Sequence, residues 1–360
     1  MPRAVRRPAA PPQPARRGHS AAAPLDIDAL FQKVDAAYRT DPRRAMGLVE
    51  RALEGLPRHR LAPTEAAVAR ARLLRIRGHA RRNLNDHVGA LADYAAALGY
   101  FRRAGQPMEM AITQIGRIDA LMYRGRYEEA LKAAAEARRI FTAAGDRLRA
   151  ARLESNVGNL YHRWDRPAPA LTHYQRAACT FRALGDRHGL ALVDFNRGNA
   201  LAALGRFDEA EAAYQAGRTV FAALGQEMAV AQVDYNRAYL PFLQERLTEA
   251  LAAFDEVQPR LARLGERRHE ALCLMDSAEI LLRLNLPVEA EERARRAAAA
   301  FRALDMRYEM ARSLAFQGMA LFRARRLDAA RPVWRRSATL FAREGNRVWL
   351  GTLALGQARL

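Results

Sequence analysis

A register of forty residues repeats along most of this 360-residue chain. Phenylalanines stand at Phe101, Phe141, Phe181, Phe221, Phe301 and Phe341, with Leu261 in the one gap. Four residues after each come Gly105, Gly145, Gly185, Gly225, Gly265 and Gly345, with Asp305 as the substitute. The other half of each unit is marked by Ala90, Ala130, Ala170, Ala210, Ala250, Ala290 and Ala330. Seven copies without slippage require stacked supersecondary units, none of which can bury its apolar face alone. That periodicity overrides the expectation of two or three globular domains that length alone would suggest.

Each copy contains two apolar-periodic segments and a short break. In 150–185, Leu153, Val157, Leu160 and Tyr161 follow the i, i+3, i+4 spacing of a helix face over about 147–164. A second such face runs over 167–184 through Ala170, Leu171, Tyr174, Ala177, Ala178 and Phe181. The break, 165–167 here and at Gly125 or Gly205 in neighbouring copies, is short enough to force an antiparallel hairpin. Pro167 and Pro287 sit at helix starts, where a missing N–H is harmless. Gly145, Gly185 and Gly225 are placed as left-handed C-caps, and Asp146 and Asp186 as N-caps of the following helix.

Small residues at Gly78, Gly158, Gly198, Ala238, Ala278 and Gly318 mark where the two helices of a hairpin approach closely, and Tyr94, Tyr174, Tyr214, Phe254 and Trp334 fill the space four residues after the marker alanine. The order Gly158, Tyr161, Ala170, Tyr174, Ala177 resembles the tetratricopeptide repeat; the fourth copy matches with Gly198, Leu201, Ala210 and Tyr214 and departs at Gly217. The resemblance covers 62–360, although the usual period of that repeat is 34 residues rather than forty. The longer helices are similar to a long-helix subclass found in bacterial regulatory arrays, in the repeat half of CHAT caspase-like proteins and in eukaryotic peptide-binding scaffolds. It implies an all-α fold, a right-handed superhelical α-solenoid of antiparallel hairpins in which the first helix of each unit lines a concave wall.

Three segments are expected. Residues 1–24, rich in Pro, Ala and Arg, cannot bury a core and read as a disordered tail. They lack the apolar run of a secretory signal, and a transit peptide is the other reading of such a composition. Residues 25–61 read as a divergent N-terminal capping hairpin, and 62–360 as seven repeats plus a final single helix. That last helix, with Leu350, Leu353 and Leu360 lacking a partner helix, reads either as an end cap or as the edge of a longer protein. Pro241, mid-pattern in a first helix, is expected to kink that helix or end it early.

The net charge is +20, and Arg3, Arg6, Arg7, Arg16 and Arg17 of the tail contribute to it. Such a charge attracts acidic partners and gives salt-sensitive association with nucleic acid, although no nucleic-acid module is recognisable. No run is long enough to span a bilayer. Cys179 and Cys273 lack the spacing of a metal site or a disulfide framework, and two free thiols fit a reducing cytoplasm. The histidines show no metal-ligand or nucleophile–base spacing, and no phosphate-cradling loop or nucleophile elbow occurs. A non-enzyme without cofactor or metal is the reading.

The positions that the tetratricopeptide resemblance implies for the inner wall hold Arg72, Arg75, His79 and Arg82 in the first copy, and Arg152, Asn156, Asn159 and Arg163 in the third. They hold Asn196 and Asn199 in the fourth, and Tyr235, Asn236 and Tyr239 in the fifth. Asn156, Asn196 and Asn236 form a ladder that Asp276 continues. A carboxamide offers donors and an acceptor to an extended backbone, and arginine beside it favours acidic groups. The same amides serve equally to tie neighbouring helices together. The leading expectation is therefore a cytoplasmic, bacterial-type scaffold that binds an extended, acidic peptide segment of a partner protein in the concave groove. Two alternatives stand beside it: the regulatory half of a CHAT-like caspase-family protease or signalling protein whose catalytic part is absent from this chain, and an RNA-binding protein.

Overall fold

The computed structural model describes residues 31–32, 41–58, 61–343 and 346–357. The tail at 1–24 and most of the first half of the capping hairpin lie outside the described residues, as does Leu360. The described residues form sixteen α-helices and no strand. After α1 (Pro42–Gly55) come seven helical hairpins. These are α2 (Pro63–Asn83) with α3 (His87–Arg103), α4 (Pro107–Tyr123) with α5 (Tyr127–Ala143), α6 (Arg147–Arg163) with α7 (Pro167–Leu184), and α8 (Arg187–Ala203) with α9 (Phe207–Ala223). Then follow α10 (Glu227–Leu243) with α11 (Leu247–Arg263), α12 (Arg267–Arg283) with α13 (Pro287–Ala303), and α14 (Arg307–Arg323) with α15 (Leu327–Arg343). A final helix, α16, spans Arg347–Gln357. The chain divides into two compact units, Met1–Ile140 and Phe141–Leu360.

The turns explain why the helices stop in register. Among the described residues, one or two residues past the helix ends of the seven hairpins the backbone turns left-handed, at Gly185 with φ of 70° and at Gly205 with 71°, where glycine has no Cβ to clash. Asn85, Asp165 and Asn285 hold the same conformation, as small polar residues can, but so do Glu245 and Arg325, for which it is strained. The expected N-caps are in place. Asp146 accepts from the backbone N–H of Arg149 at 2.9 Å and Asp186 from that of Gly189 at 2.8 Å, each satisfying a donor that the first turn leaves open.

Within each unit a first helix packs against its own second helix and against the first helix of the next layer. The close approach inside a hairpin depends on the glycine of the pattern. A Cβ on Gly158 would lie 2.4 Å from Cε1 of Tyr174, and one on Gly318 would lie 2.2 Å from Cδ1 of Trp334. Tyr174, Phe181, Tyr214 and Phe221 are all at most 2% exposed in one core with Leu201 and Val193. Truncating a buried aromatic of this kind to alanine costs about 3–5 kcal/mol, so these rings carry much of the hairpin stability.

Two local expectations are corrected. α10 neither ends early nor loses its register at Pro241; it runs on to Leu243, as the matching helices run to Arg163, Ala203 and Arg283. Pro241 falls in the last turn, where only the Arg237 carbonyl loses a helical donor, and the following N–H of Gln244 still bonds back to the Leu240 carbonyl. The face of α16 is not left bare. Leu353 is 1% exposed and packs with Trp334 and Phe341, Leu350 is half-buried beside it, and Trp349 stacks on Phe341 with 5.3 Å between ring centroids.

Candidate functional site

The repeat places one row of side chains per position along successive first helices, because a forty-residue shift returns the same helix face in the next layer. In the second unit this brings Asn156 on α6, Asn196 on α8 and Asn236 on α10 into adjacent layers, each half-buried. None of the three carboxamides hydrogen-bonds another described residue, so they retain full donor and acceptor capacity. Arg152, one turn before Asn156, is exposed and also without an ion pair among the described residues; Arg163 is exposed at the far end of α6.

The neighbouring amides are committed. Tyr174 donates its hydroxyl hydrogen to Asn159 Oδ1 at 2.7 Å, and Tyr214 does the same to Asn199 at 2.6 Å. Burial pushes both phenols well above their ordinary value, so they remain protonated donors. Each bond joins the two helices of one hairpin and satisfies a tyrosine hydroxyl at the end of a buried ring. In the first unit the corresponding pair is Tyr94 and His79, with hydroxyl and Nδ1 at 2.8 Å. Burial, reinforced by the Arg82 and Arg75 guanidiniums, pushes this imidazole down to about 3, so it is neutral under ordinary conditions. Its Cε1 also occupies the space that a Cβ on Gly116 would need, at 2.7 Å, which sets it between two layers.

The first-unit arginines are likewise engaged. Arg72 bonds Glu109 Oε1 at 2.7 Å and Arg75 bonds Oε2 at 2.5 Å, joining α2 to α4. Burial alone would push the Glu109 carboxyl up, but Arg75 and Arg72 together hold it below its usual value. Arg82 reaches Asp119 at 2.7 Å. Arg72, Arg75 and Arg82 therefore spend their charge on inter-layer pairs, and the position of the amide row is occupied in this unit by Ile76 and Gly116.

The row ends in a different chemistry. Tyr235 donates to Asp276 Oδ2 at 2.7 Å, linking α10 to α12, and Asp276 is only 6% exposed. Burial pushes this carboxyl up to about 6, against the opposing pull of the Tyr235 hydrogen bond and of Arg312. Tyr239, beside it, is pushed up to about 12 by burial and by Asp276. Asp276 and Tyr235 act here as a tie between layers, a role the ladder pattern alone did not distinguish from ligand contact. The recurring tyrosine fifteen residues after each of His79, Asn159 and Asn199 was the sequence signal that those side chains had a partner.

Among the described residues no three His, Cys, Asp or Glu side chains group so as to hold a metal ion, and no helix is long and apolar enough to cross a membrane. Cys179 is exposed on α7, and His173 of the same helix bonds Glu154 at 2.8 Å. Cys273 is buried, and burial pushes its thiol far up, away from the reactive thiolate form.

Residues 109–178 match the family model described as tetratricopeptide repeat. Solved structures of similar fold include the apo form of RapI, 14% identical, covering 85% of this chain and 100% of that one with a TM-score of 0.54. A Rap protein complexed with competence and sporulation factor is 14% identical, covers 86% of this chain and 99% of that one, and has a TM-score of 0.52. Aspartyl phosphate phosphatase F from Bacillus subtilis is 11% identical and covers 94% of each chain with a TM-score of 0.55. At these identities the likeness is one of fold: an all-α array of tetratricopeptide-like hairpins. Among curated proteins, none matches the sequence.

Proposed function

We propose that the second unit is a binding scaffold that grips an extended peptide segment of a partner protein along Asn156, Asn196 and Asn236. The observation that carries this reading is the contrast between two sets of amides on the same helices. Asn159 and Asn199 are spent on tyrosine hydroxyls, whereas the three ladder amides, one per layer, hold no partner among the described residues. Helix interiors disfavour asparagine, and these residues contribute no internal bond in return. An extended strand alternates N–H and C=O along its length, and a carboxamide serves either one. The neighbour solved with competence and sporulation factor bound supports a role in capturing a partner on this fold. Of the expected acidic preference, Arg152 is the arginine that remains uncommitted near the row, so the preference is for a single carboxylate close to α6 rather than for acidity along the whole segment.

Selection of a displayed random-peptide library on the intact chain tests this. Wild type enriches a family of sequences, and the triple variant Asn156→Ala, Asn196→Ala, Asn236→Ala retains none of them while its thermal melt by tryptophan fluorescence is unchanged. Trp164, Trp334 and Trp349 all lie in the second unit, so that melt reports on the scaffold in question. A collapsed melt in the triple variant assigns the ladder to stacking and removes the proposal.

A further inference from the structure

Two residues along a helix are about 200° apart around its axis, so Asp234 and Asn236 face opposite sides of α10. On the side away from the amide row, neighbouring second helices of the second unit flank clefts whose floor is the intervening first helix. Between α9 and α11 this cleft, about 400 Å³ over α10, is lined by matched charge. Asp234 accepts from Arg218 at 2.6 Å and from Arg260 at 2.9 Å, and Arg237 pairs with Glu211.

Two layers on, between α13 and α15 over α14, the same positions have changed character. Eighty residues after Arg218 stands Ala298, and eighty after Asp234 stands Leu314. No ion pair crosses the floor here, and two adjoining cavities of about 250 and about 180 Å³ share Arg302 and Met310. Their floor is apolar, with Met310 and Leu314 of α14 joined by Leu340 from α15, and their walls carry Arg302, Arg336 and Arg343. These three guanidiniums are exposed and have no ion pair or hydrogen bond with any described residue. Arg295 and Arg307 at the margins are held by Glu292 and Asp305, and Asp305 is the one carboxylate among the described lining residues.

We propose that this cleft docks an acidic segment of a partner protein, its carboxylates against Arg302, Arg336 and Arg343 and one apolar side chain seated on Met310, Leu314 and Leu340. Each cavity has room for one anchoring side chain of a docked segment. Charge selects the rest, since three like charges on one cleft repel one another until carboxylates bridge them, and guanidinium–carboxylate bonds are directional. The apolar floor favours peptide over nucleic acid. Single-stranded bases bind basic surfaces by stacking on accessible aromatic rings, and the lining ring, Phe301, is 0% exposed. The site is independent of the amide row, on a different face and on different helices.

The test uses the full chain and a fluorescein-labelled synthetic peptide of about a dozen residues built from Glu and Asp around a central Leu, followed by anisotropy at constant salt. Wild type binds it. Arg302→Gln, Arg336→Gln, Arg343→Gln together weakens binding at least tenfold, and Ala298→Leu, which takes up space beside Met310 and Leu314 without altering the charge, weakens it at least threefold. Replacing the central Leu of the peptide by Ser weakens binding at least threefold, and the ladder triple variant leaves it unchanged. Amide hydrogen exchange on wild type then shows peptide-dependent protection in α13 to α15, a readout that requires no variant to fold. Binding insensitive to Ala298→Leu and to the Leu→Ser change reduces the effect to diffuse charge and overturns the proposal. So does a single-stranded RNA oligonucleotide that binds more tightly than the peptide and protects the same helices.

Discussion

Tyr235 on α10 and Asp276 on α12, forty-one residues apart, share a hydrogen bond of 2.7 Å that joins two successive layers of the second unit. Asp276 stands one period after Asn236 and so ends the amide row with a buried carboxyl rather than a free carboxamide. Its value, about 6 against the ordinary 3.8, makes the tie dependent on pH. A carboxyl with a raised folded value binds its proton more tightly when folded, so its contribution is most favourable below about pH 4 and is lost as pH rises through about 6.

Asp276→Asn keeps an acceptor for Tyr235 and removes the charge. Each pKa unit corresponds to about 1.4 kcal/mol, so the stability of the variant relative to wild type should rise by about 2–3 kcal/mol between pH 4 and pH 8. Urea denaturation followed by tryptophan fluorescence at both pH values measures this. A constant offset between the two proteins contradicts it.

The Tyr174–Asn159 bond gives an asymmetric pair. Tyr174→Phe removes the donor and leaves Asn159 half-buried and able to find water, at a loss of about 1 kcal/mol. Asn159→Ala instead strands the hydroxyl of a ring only 1% exposed, for about 1–3 kcal/mol. Chemical denaturation of the two variants should rank them in that order, and the reverse ranking refutes the assignment.

Gly158→Ala adds a methyl 2.4 Å from Cε1 of Tyr174, a ring that the core of the second unit holds on every side. Overpacking of this kind costs about 1–3 kcal/mol. The double variant Gly158→Ala, Tyr174→Leu should recover part of the loss, which a double-mutant cycle reads directly. Additive losses would mean the two side chains do not meet.

Arg325 turns left-handed with φ of 61° between α14 and α15, where most other turns of the array use Gly, Asn or Asp. The side chain is exposed and has no ion pair among the described residues, so only the strain depends on its identity. Arg325→Gly should stabilise the second unit by about 1 kcal/mol, somewhat less after the larger unfolded-state entropy of glycine. A lower thermal midpoint would show that the turn carries no strain.

The forty-residue register, read from the sequence, determined the helical hairpins, their ends and the pairing of Gly158 with Tyr174 or Gly318 with Trp334, because each of these depends on contacts local in sequence and repeated in every copy. The caps at Asp146 and Asp186 were legible for the same reason. What repetition could not determine was how similar side chains divide their labour. Asn156 and Asn159 share one helix face, yet only Asn159 meets a tyrosine from the second helix. Arg72 and Arg152 occupy the same register, yet only Arg72 finds a carboxylate, Glu109, on the next layer. Such choices depend on distances between helices that a linear pattern does not contain. The cleft beside Ala298 and Leu314 is a further case, since which arginines stand around one apolar floor is known only when the layers are stacked. Stacking converts a one-dimensional period into rows of neighbours, and which members of a row remain free for a partner is decided by the side chains that the neighbouring helices bring within hydrogen-bond reach.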